Sequence, residues 1–278
     1  MVVHLACTSK SLIGVMSIKN TKIMNYNYQY AKRAISFESI CNRSIQNLPS
    51  NAYPEIYEQL DRGRARLTSY SQAVTYMACY GKMHILKLQS AYERLFNQQN
   101  LSGKSVNIID WGCGQALATG ALIDHIKNNN IKMSFKSITL IEPSRTSIQI
   151  GVNNLKRLLG NTVQINTQTT TSTFARLKPL QSRDEITIHL FSNLLDIDSV
   201  SNEEIANKIK RYCKGQNYFV CVSPLNIEKL CDFYESFSNS QLISHRKSNL
   251  RGNIYRIIQG QYFNQTIYRI EYIFKTFF

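Results

Sequence analysis

The sequence has no run of apolar residues long enough to cross a membrane, which takes about 18 to 20 of them. Its apolar stretch near the start, SLIGVM, is followed by Ser17 and Lys19. The first twenty residues also lack the long apolar region and small-residue cleavage site of a secretion signal. We therefore expect a cytoplasmic protein with no membrane segment, and a hydrophobic content of 43% is enough for a large core.

The cysteines and histidines lack the spacing that marks disulfide frameworks and zinc sites. The seven cysteines are odd in number, scattered, and never spaced as CxxC. The five histidines are isolated, and His189, inside the apolar run ITIHLF, is interpreted as a core or pocket residue. We expect no metal site.

Acidic residues are scarce, with 18 Asp and Glu against 33 Lys and Arg, which gives a net charge of +15. This excess favours attraction to polyanions, of which nucleic acid is the commonest in a cytoplasm. The basic residues are spread along the chain without an arginine-rich run, so the charge could instead serve solubility alone. Nucleic acid is therefore a candidate partner, and so is another protein.

Three regions of the chain differ in pattern. Residues 1–50 are poorly patterned, and we expect a poorly ordered segment there. Residues 51–100 have the three- and four-residue spacing of two helices, with a bend expected at Gly81, and would form a cap or lid. Residues 101–278 then form the main domain.

From residue 106 onward, strand-like and helix-like segments alternate. This alternation predicts an α/β fold, doubly wound, with a mostly parallel seven-stranded sheet covered by helices on both faces. The last two segments, NIYRIIQGQYF and TIYRIEYIFKTFF, have no helix between them. They predict a C-terminal antiparallel hairpin that turns at Asn264 and Gln265.

The segment VNIIDWGCG places a loop with little side-chain cover at the end of the first strand. Ligands of doubly wound sheets bind beyond the carboxyl ends of the strands. The bare backbone at Gly112 and Gly114 lets a ligand approach the amides, and the next helix adds the positive end of its dipole. Asp110 would repel a pyrophosphate, which argues against a dinucleotide.

A second acid, Glu142, ends the predicted strand SITLIE. A carboxylate at this place has the acceptors to bind the two hydroxyls of a ribose. Alternatively, Glu142 and Pro143 only terminate a strand in solvent.

Together, IIDWGCGQALA and LIEPS resemble the first two motifs of the class I S-adenosylmethionine-dependent methyltransferases. The resemblance covers roughly residues 106–278, because that family also ends in an antiparallel hairpin. Ala116 stands where a third glycine is common in the family. The resemblance implies a Rossmann-like fold, S-adenosylmethionine as cofactor, and methyl transfer as the activity.

The resemblance also implies roles for individual residues. Asp110 would support the loop, Glu142 would hold the ribose hydroxyls, and Ser192 and Asn193, after the fourth strand, would face the same pocket. The residues expected to line the methionine and ribose parts of the cofactor are Trp111, Gly112, Cys113 and Gly114.

Two expected features of the family are missing. Thr167 and Gln168 follow the third strand, near the expected adenine position, where the family often has an acid. SNLL stands where amino-methylating relatives have an Asn/Asp-Pro-Pro-aromatic signature. No catalytic residue is assigned, since an activated sulfonium methyl needs mainly alignment of its acceptor.

The helices before the main domain offer further candidates for a lid or a polyanion-binding surface: Tyr76, Tyr80, Lys82, His84 and Lys87. Three of them, Tyr80, His84 and Lys87, have the spacing of one helix face. Such a stripe is also typical of an ordinary amphipathic surface.

The leading hypothesis is therefore methyl transfer from S-adenosylmethionine to nucleic acid, with RNA ahead of DNA because basic residues and tyrosines alternate near the end of the chain. A non-catalytic methyltransferase-like module that binds RNA or a protein is the first alternative. Methylation of a small molecule or a protein is the second.

Overall fold

The computed structural model describes residues 35–177, 184–224 and 227–278, and these form one compact unit. The predicted segment 1–50 therefore lies mostly outside the described residues. The helices are α1 (Phe37–Gln46), α2 (Tyr57–Gln59), α3 (Tyr70–Gln98), α4 (Leu117–Asn128), α5 (Arg145–Leu159), α6 (Asn202–Tyr212) and α7 (Ile227–Glu235), with short turns of other helix types at Ala52–Ile56, Asp61–Gly63 and Ser172–Phe174.

The strands form one seven-stranded sheet in the order β3-β2-β1-β4-β5-β7-β6. Their bounds are β1 (Ser105–Trp111), β2 (Ser134–Ile141), β3 (Gln164–Gln168), β4 (Ile186–Ser192), β5 (Gln216–Ser223), β6 (Gln241–Arg256) and β7 (Gln261–Phe277). The first five strands are parallel, and β7 is antiparallel to both neighbours. The predicted fold class is confirmed, including the terminal antiparallel hairpin that the resemblance implies.

Apolar side chains pack on both faces of the sheet. One core cluster joins the sheet to α1, α3, α4 and α5, through residues such as Leu88 and Leu122. The other joins it to α6 and α7, through residues such as Ile205 and Phe233. Because β1 is covered on both faces, all of its residues after Ser105 are buried, as is typical of a central parallel strand.

Helix α1 lies inside the segment that we expected to be poorly ordered, so that expectation is wrong for residues 37–46. Ser36 caps the helix, and the Asp124 carboxylate of α4 accepts hydrogen bonds from the amides of Phe37 and Glu38, at 2.8 and 3.0 Å. The Phe37 ring is fully buried against Gly120, where a β-carbon would clash with it. Helix α1 is therefore an integral part of the core.

Helix α3 runs through Gly81 as one helix of 29 residues, so the bend expected there is absent from this helix. A β-carbon on Gly81 would lie 2.9 Å from the sulfur of Cys41, so the glycine allows α1 to pack closely. Helix α3 also packs on α4 and on β6, where the Leu86 side chain occupies the space beside Gly252. The helical region 51–100 is thus built into the same unit as the sheet.

The turn of the terminal hairpin lies at residues 257–260, not at Asn264 and Gln265 as predicted. Those two residues are inside β7, paired with Asn253 and Gly252. The turn forms around Gly260, whose φ of 64° is in the left-handed region that favours glycine. With the turn at this place, β6 and β7 extend well beyond the end of β5.

Across the described ranges, no helix has both the length and the apolar character required to span a membrane.

We expect Phe37→Ala to lower the free energy of unfolding by about 3 to 5 kcal/mol, because it opens a cavity between α1 and α4. Urea denaturation measures this loss. The matched control is Phe174→Ala, since Phe174 is 74% exposed and its loss should change stability by about 0.5 kcal/mol or less. Equal stability of the two variants would contradict the integral role of α1.

Candidate functional site

The loop between β1 and α4, residues 112–116, is the glycine loop. Three of its residues have left-handed backbone angles, with φ of 62° at Gly112, 52° at Gly114 and 60° at Ala116. Gly112 and Gly114 are partly exposed, whereas Cys113 is buried and its amide donates to the carbonyl of Ile141 at 3.0 Å. Both glycines of the loop are therefore partly exposed, whereas the cysteine between them is buried.

Ala116 takes the left-handed conformation at the position where the resemblance leads us to expect glycine. Helix α5 approaches it closely, because a β-carbon on Gly151 would lie 3.0 Å from the carbonyl carbon of Gln115 and 3.1 Å from the β-carbon of Ala116. The glycine at position 151 thus provides the space in which the alanine side chain lies.

Asp110 is buried at the end of β1, beneath the glycine loop. Its Oδ2 accepts hydrogen bonds from the amide of Thr119 at 3.1 Å and from its hydroxyl at 2.7 Å, so the carboxylate ties the strand to the first turn of α4. Its Oδ1 is buried without a hydrogen-bond partner among the described residues. Burial raises the pKa of Asp110 to about 7, although the two hydrogen bonds from Thr119 act to lower it.

The Trp111 side chain is in the core, which corrects the expectation that it lines a ligand pocket. Its ring is fully buried and stacks on Phe191 with the centroids 5.7 Å apart. The indole N–H lies 3.3 Å from Nδ1 of His189, whose Nε2 lies 2.9 Å from Oδ1 of Asn217. Burial lowers the pKa of His189 to about 4, so this histidine is a neutral core residue. Strand alternation explains the result, since Trp111 points opposite to Asp110.

Glu142 follows β2 and reaches across to the glycine loop. Its Oε2 accepts from the amide of Gly114 at 3.0 Å and its Oε1 accepts from the amide of Ser144 at 2.8 Å. Burial raises its pKa, while these two amides and the charge of Arg66 oppose the rise. A carboxylate has about four acceptor positions, so Glu142 keeps acceptor capacity beyond these two bonds.

The two glycines differ in the space beside them. A β-carbon on Gly114 would meet no atom within 4 Å among the described residues, so the backbone there is open to a ligand. A β-carbon on Gly112 would lie 2.8 Å from Cδ1 of Leu194, so the Leu194 side chain covers that glycine. Leu194 is not among the residues predicted for the site, although its place in SNLL directly after the fourth strand was a signal for it.

Asn193 follows β4 and joins the sheet to α3. Its Oδ1 accepts from the Lys87 amine at 2.7 Å, and its Nδ2 contacts Nδ1 of His84. Since the amide nitrogen is a donor, Nδ1 of His84 accepts and the ring is neutral. Burial, followed by the charge of Lys87, lowers the pKa of His84 well below its usual value. Ser192 and Asn193 are both partly exposed at this edge.

Four of the candidate side chains of α3 share one face, which we call the α3 cleft face: Tyr76, Tyr80, His84 and Lys87. The Tyr76 ring lies 5.2 Å from that of Tyr80 and 6.0 Å from that of His84, between ring centroids. Burial and the nearby charge of Glu142 both raise the pKa of Tyr76. The α3 cleft face therefore extends from Glu142 at the end of β2 to Asn193 at the end of β4, over the end of β1 between them.

The remaining candidate of α3, Lys82, does not belong to this face. Its amine pairs with the carboxylate of Glu38 on α1. The lid or polyanion role considered for Lys82 is therefore corrected to a contact between two helices.

Hydrogen bonds fix the start of α3 against the strand ends. The Gln115 side chain donates to the carbonyl of Ala73 at 2.8 Å, and the Ser144 hydroxyl donates to the carbonyl of Leu67. The glycine loop, Glu142, Asn193 and the α3 cleft face border one region at the strand ends, which is called the cleft below.

Thr167 and Gln168, considered for an adenine contact, lie in the last part of β3. The Gln168 side chain is bonded to the backbone of Arg176 in both directions, at 2.7 Å each. Its backbone carbonyl accepts from the amide of Glu142 at 3.1 Å. In this arrangement Gln168 supports the position of Glu142.

The cysteines of the second core cluster are packing residues. Cys213 and Cys221 are buried, and burial raises the pKa of Cys213 to about 12 and that of Cys221 well above its usual value. Within residues 35–177, 184–224 and 227–278, no three His, Cys, Asp or Glu side chains are gathered as metal ligands would be.

The chain matches no model of a known protein family, and no curated protein sequence matches it. It is similar to several solved structures. One is a precorrin 8w decarboxylase from Methanobacterium thermoautotrophicum, with 14% identity and a TM-score of 0.44 over 66% of this chain and 89% of that one.

A second is precorrin-6y C5,15-methyltransferase from Geobacter metallireducens, with 13% identity and a TM-score of 0.44 over 68% and 88% of the two chains. A third is magnesium protoporphyrin IX methyltransferase from Synechocystis PCC 6803 with bound SAM, with 12% identity and a TM-score of 0.41 over 87% and 99%. These likenesses are distant, and the fold rests on the strand order described above.

The raised pKa of Asp110 predicts a pH-dependent stability. Between pH 4 and 7 the folded chain keeps a proton on Asp110 that the unfolded chain has released, so raising the pH favours unfolding. Asp110→Asn removes this titration and keeps an oxygen for Thr119. Relative to the variant, the wild type should lose about 1.4 kcal/mol per pH unit from pH 5 to 6.5 and level off above pH 7 in urea denaturation. A difference that stays constant from pH 5 to 6.5 would contradict the assignment.

Proposed function

We propose that this chain is a methyltransferase that uses S-adenosylmethionine. The observation that carries the proposal is the meeting of the glycine loop with Glu142 at the ends of β1 and β2. The backbone at Gly114 is open there, and a carboxylate with spare acceptor capacity lies 3.0 Å from its amide. Both features suit a ligand that carries a ribose and an amino-acid group.

The residues present fit this cofactor. Glu142 would hold the ribose hydroxyls, and the backbone of Gly114 would contact the part of the cofactor next to the ribose. The unpartnered Oδ1 of Asp110 lies under the loop, in a place unsuited to a pyrophosphate. When bound, the cofactor supplies a methyl group that its sulfonium has already activated.

The chain's own residues then align the acceptor and exclude water. The α3 cleft face covers the strand ends with two tyrosine rings that are only partly exposed. Alignment and desolvation of the acceptor are the main requirements for transfer of an activated methyl group. The absence of a Ser, His and Asp triad from the motifs agrees with this chemistry.

The Leu194 side chain beside Gly112 favours a second candidate function. It occupies space that the amino-acid part of the cofactor would approach, and a chain that keeps Leu194 there would be a non-catalytic module with the same fold. The two candidates differ in cofactor binding.

We expect calorimetry to detect binding of S-adenosylmethionine and not of NAD. Glu142→Ala should weaken the affinity about 10- to 100-fold, because it removes hydrogen bonds to a charged acceptor worth about 1.5 to 3 kcal/mol. The matched control is Glu203→Ala, since Glu203 is exposed in the first turn of α6. It should leave the affinity unchanged.

Binding of NAD alone would overturn the proposal. Failure of the wild type to bind S-adenosylmethionine at millimolar concentration, followed by binding in Leu194→Ala, would favour the non-catalytic module. Gly112→Val is a poor test because its side chain would meet Leu194 at a left-handed backbone position and strain the fold.

For the acceptor we propose RNA, because of the part of the β6 and β7 hairpin that extends beyond β5. Ser223 ends β5 and pairs with Ile270, so residues 261–269 of β7 pair only with β6. This extension reaches roughly 30 Å beyond the strand ends at about 3.4 Å per residue. Since β5 is parallel to β1, the extension lies on the same edge as the glycine loop.

One face of the extension is free of α3 and has the composition that binds nucleic acid. Ile254 and Ile267 are buried on the side that packs against α3. The opposite face carries basic, aromatic and amide side chains: Lys247, Asn249, Arg251, Tyr255, Tyr262, Asn264 and Tyr268. Residues 241–269 contain no Asp or Glu. Proteins that bind single-stranded nucleic acid typically combine basic side chains, which contact the phosphates, with exposed aromatic rings, on which the bases stack.

A second, separate cavity of about 440 Å³ lies where this face meets the end of β5. Its lining includes one acid, Glu228, together with Lys247, Asn249 and Tyr268, and the Tyr268 residue is 61% exposed. A base stacked on that ring would lie at the same edge of the sheet as the glycine loop, which favours a nucleic-acid acceptor over a protein.

We expect binding of single-stranded RNA to weaken steeply as salt rises, because neutralised phosphates release counterions. Replacing Lys247 and Arg251 together by Ala should lower the slope of log affinity against log salt by about 1.4 and weaken binding about 10-fold at low salt. Fluorescence anisotropy of a labelled RNA measures both.

The matched control is the double change Arg211→Ala and Lys214→Ala, since these exposed cations precede β5 at the opposite edge of the sheet. Equal losses in the two double variants would show that the attraction comes from net charge alone. Methyl transfer to a small-molecule or protein fraction, without RNA binding at low salt, would overturn the RNA proposal and leave the methyltransferase proposal intact.

A further inference from the structure

Lys87 is a buried amine at the edge of the cleft. Its residue is 4% exposed, although lysine is among the side chains most rarely buried. The amine donates to Oδ1 of Asn193 at 2.7 Å. The charged form of a lysine amine has three N–H donors, so the bond to the Asn193 oxygen leaves further hydrogen-bonding capacity on the amine.

Asn193 and His84 hold the Lys87 amine at a defined place. Asn193 turns its chain at a φ of 53°, and its amide donates to the carbonyl of Val222 at 2.8 Å, which fixes the residue against β5. Its side chain contacts Lys87 through the oxygen and His84 through the nitrogen. Both partners lie on the α3 cleft face.

This cluster is adjacent to the glycine loop. Leu194, the residue after Asn193, is the side chain that covers Gly112. Asn193, which anchors Lys87, is partly exposed at this edge of the sheet. The cluster therefore lies on the β4 side of the loop, whereas Glu142 lies on the β2 side.

We propose that Lys87 is the base that receives the proton of the methyl acceptor, and that Asn193 and His84 are positioning residues for its amine. The proposal rests on the proposed methyltransferase function and deepens it. It assigns the acceptor to molecules whose reacting atom is an oxygen or nitrogen that carries a proton at neutral pH, such as a hydroxyl or an amide-like ring N–H.

The step balances without any further reactant. The acceptor atom forms a bond to the methyl carbon with its own electron pair, and the bond from that carbon to sulfur breaks with its pair left on sulfur. The acceptor's proton passes to the neutral amine of Lys87, which becomes an ammonium and later releases the proton to water.

The surroundings of Lys87 suit this role. Burial lowers the pKa of Lys87 to about 8, while the charge of Asp196, in the segment after β4, opposes the decrease. His84 on the same helix is neutral, and the guanidinium of Arg269 on β7 donates to the Lys87 carbonyl at 3.4 Å. A base works best when its pKa is near the working pH, and roughly a fifth of such an amine is neutral at pH 7.4.

Nitrogen-15 NMR of the lysine amines in the full-length protein tests the titration without any acceptor. The Lys87 signal, assigned by its loss in Lys87→Arg, should titrate near pH 8. Asn193→Asp should move the midpoint upward by at least one unit, because it places a carboxylate beside the ammonium. A midpoint above 10 in the wild type would overturn the proposal.

Methyl transfer to the accepted substrate fraction tests the chemical role. Lys87→Ala should lower kcat about 100-fold or more with the affinity for S-adenosylmethionine within about threefold of wild type, and ethylamine should restore part of the rate. Lys87→Arg keeps the charge but cannot accept a proton, so it should be as slow as Lys87→Ala. Lys82→Ala, on the side of α3 that faces α1, is the matched control and should keep wild-type kcat.

The outcomes separate the two proposals. Full activity of Lys87→Arg would overturn the role of Lys87 as a base while methyl transfer stands. Failure of the wild type to bind S-adenosylmethionine would overturn the proposed function and this role with it. A slow Lys87→Ala variant that ethylamine does not restore, with the pH dependence of wild type, would assign Lys87 to structure alone and overturn the proposal.

Discussion

The hydrogen bonds from Thr119 to the buried carboxylate of Asp110 fix the carboxyl end of the central strand against helix α4. They join the end of the central strand to the first turn of α4, so the chain between them must reverse within a few left-handed residues. The backbone of Gly114 faces outward as a consequence. The direction of α4 also follows, and with it the place of Asp124, whose carboxylate accepts hydrogen bonds from the first amides of α1. One buried acid therefore helps to position both the glycine loop and part of the helical layer.

Helix α3 covers this edge of the sheet. It crosses the ends of three neighbouring strands and brings Tyr76 near Glu142 and Lys87 against Asn193. The same helix packs on β6 beside Gly252, so the hairpin extension and the cleft share one rigid support. A molecule bound along the extension would thus stand in a fixed relation to the glycine loop, which lets binding far from the reacting atom contribute to alignment.

The sequence predicts the parts of the fold and site that depend on local pattern. Alternation of strands and helices predicts the sheet, glycine spacing predicts the loop, and the end of the strand SITLIE predicts the position of Glu142. The Lys87 contact with Asn193 joins residues separated by 106 positions, which no local period reveals. The orientation of the Trp111 side chain could have been predicted, because neighbouring side chains of a strand point to opposite faces of the sheet and Asp110 precedes Trp111. Helix α1 could also have been predicted, from the capping serine Ser36 and the helical spacing of Phe37, Ile40 and Cys41. The poor patterning of the residues around this short helix made these features hard to recognise.

Positions 116 and 151 lie so close together that there is little room for a β-carbon at both of them. The alanine departs from the glycine expected in the loop, yet its β-carbon lies where a side chain at Gly151 would otherwise go. The two positions are therefore coupled, and a change at either one limits the side chains that the other accepts. In a lineage of such chains, residue identities at the two positions would vary together. The alanine at position 116 therefore fits the loop without distorting the approach of α5.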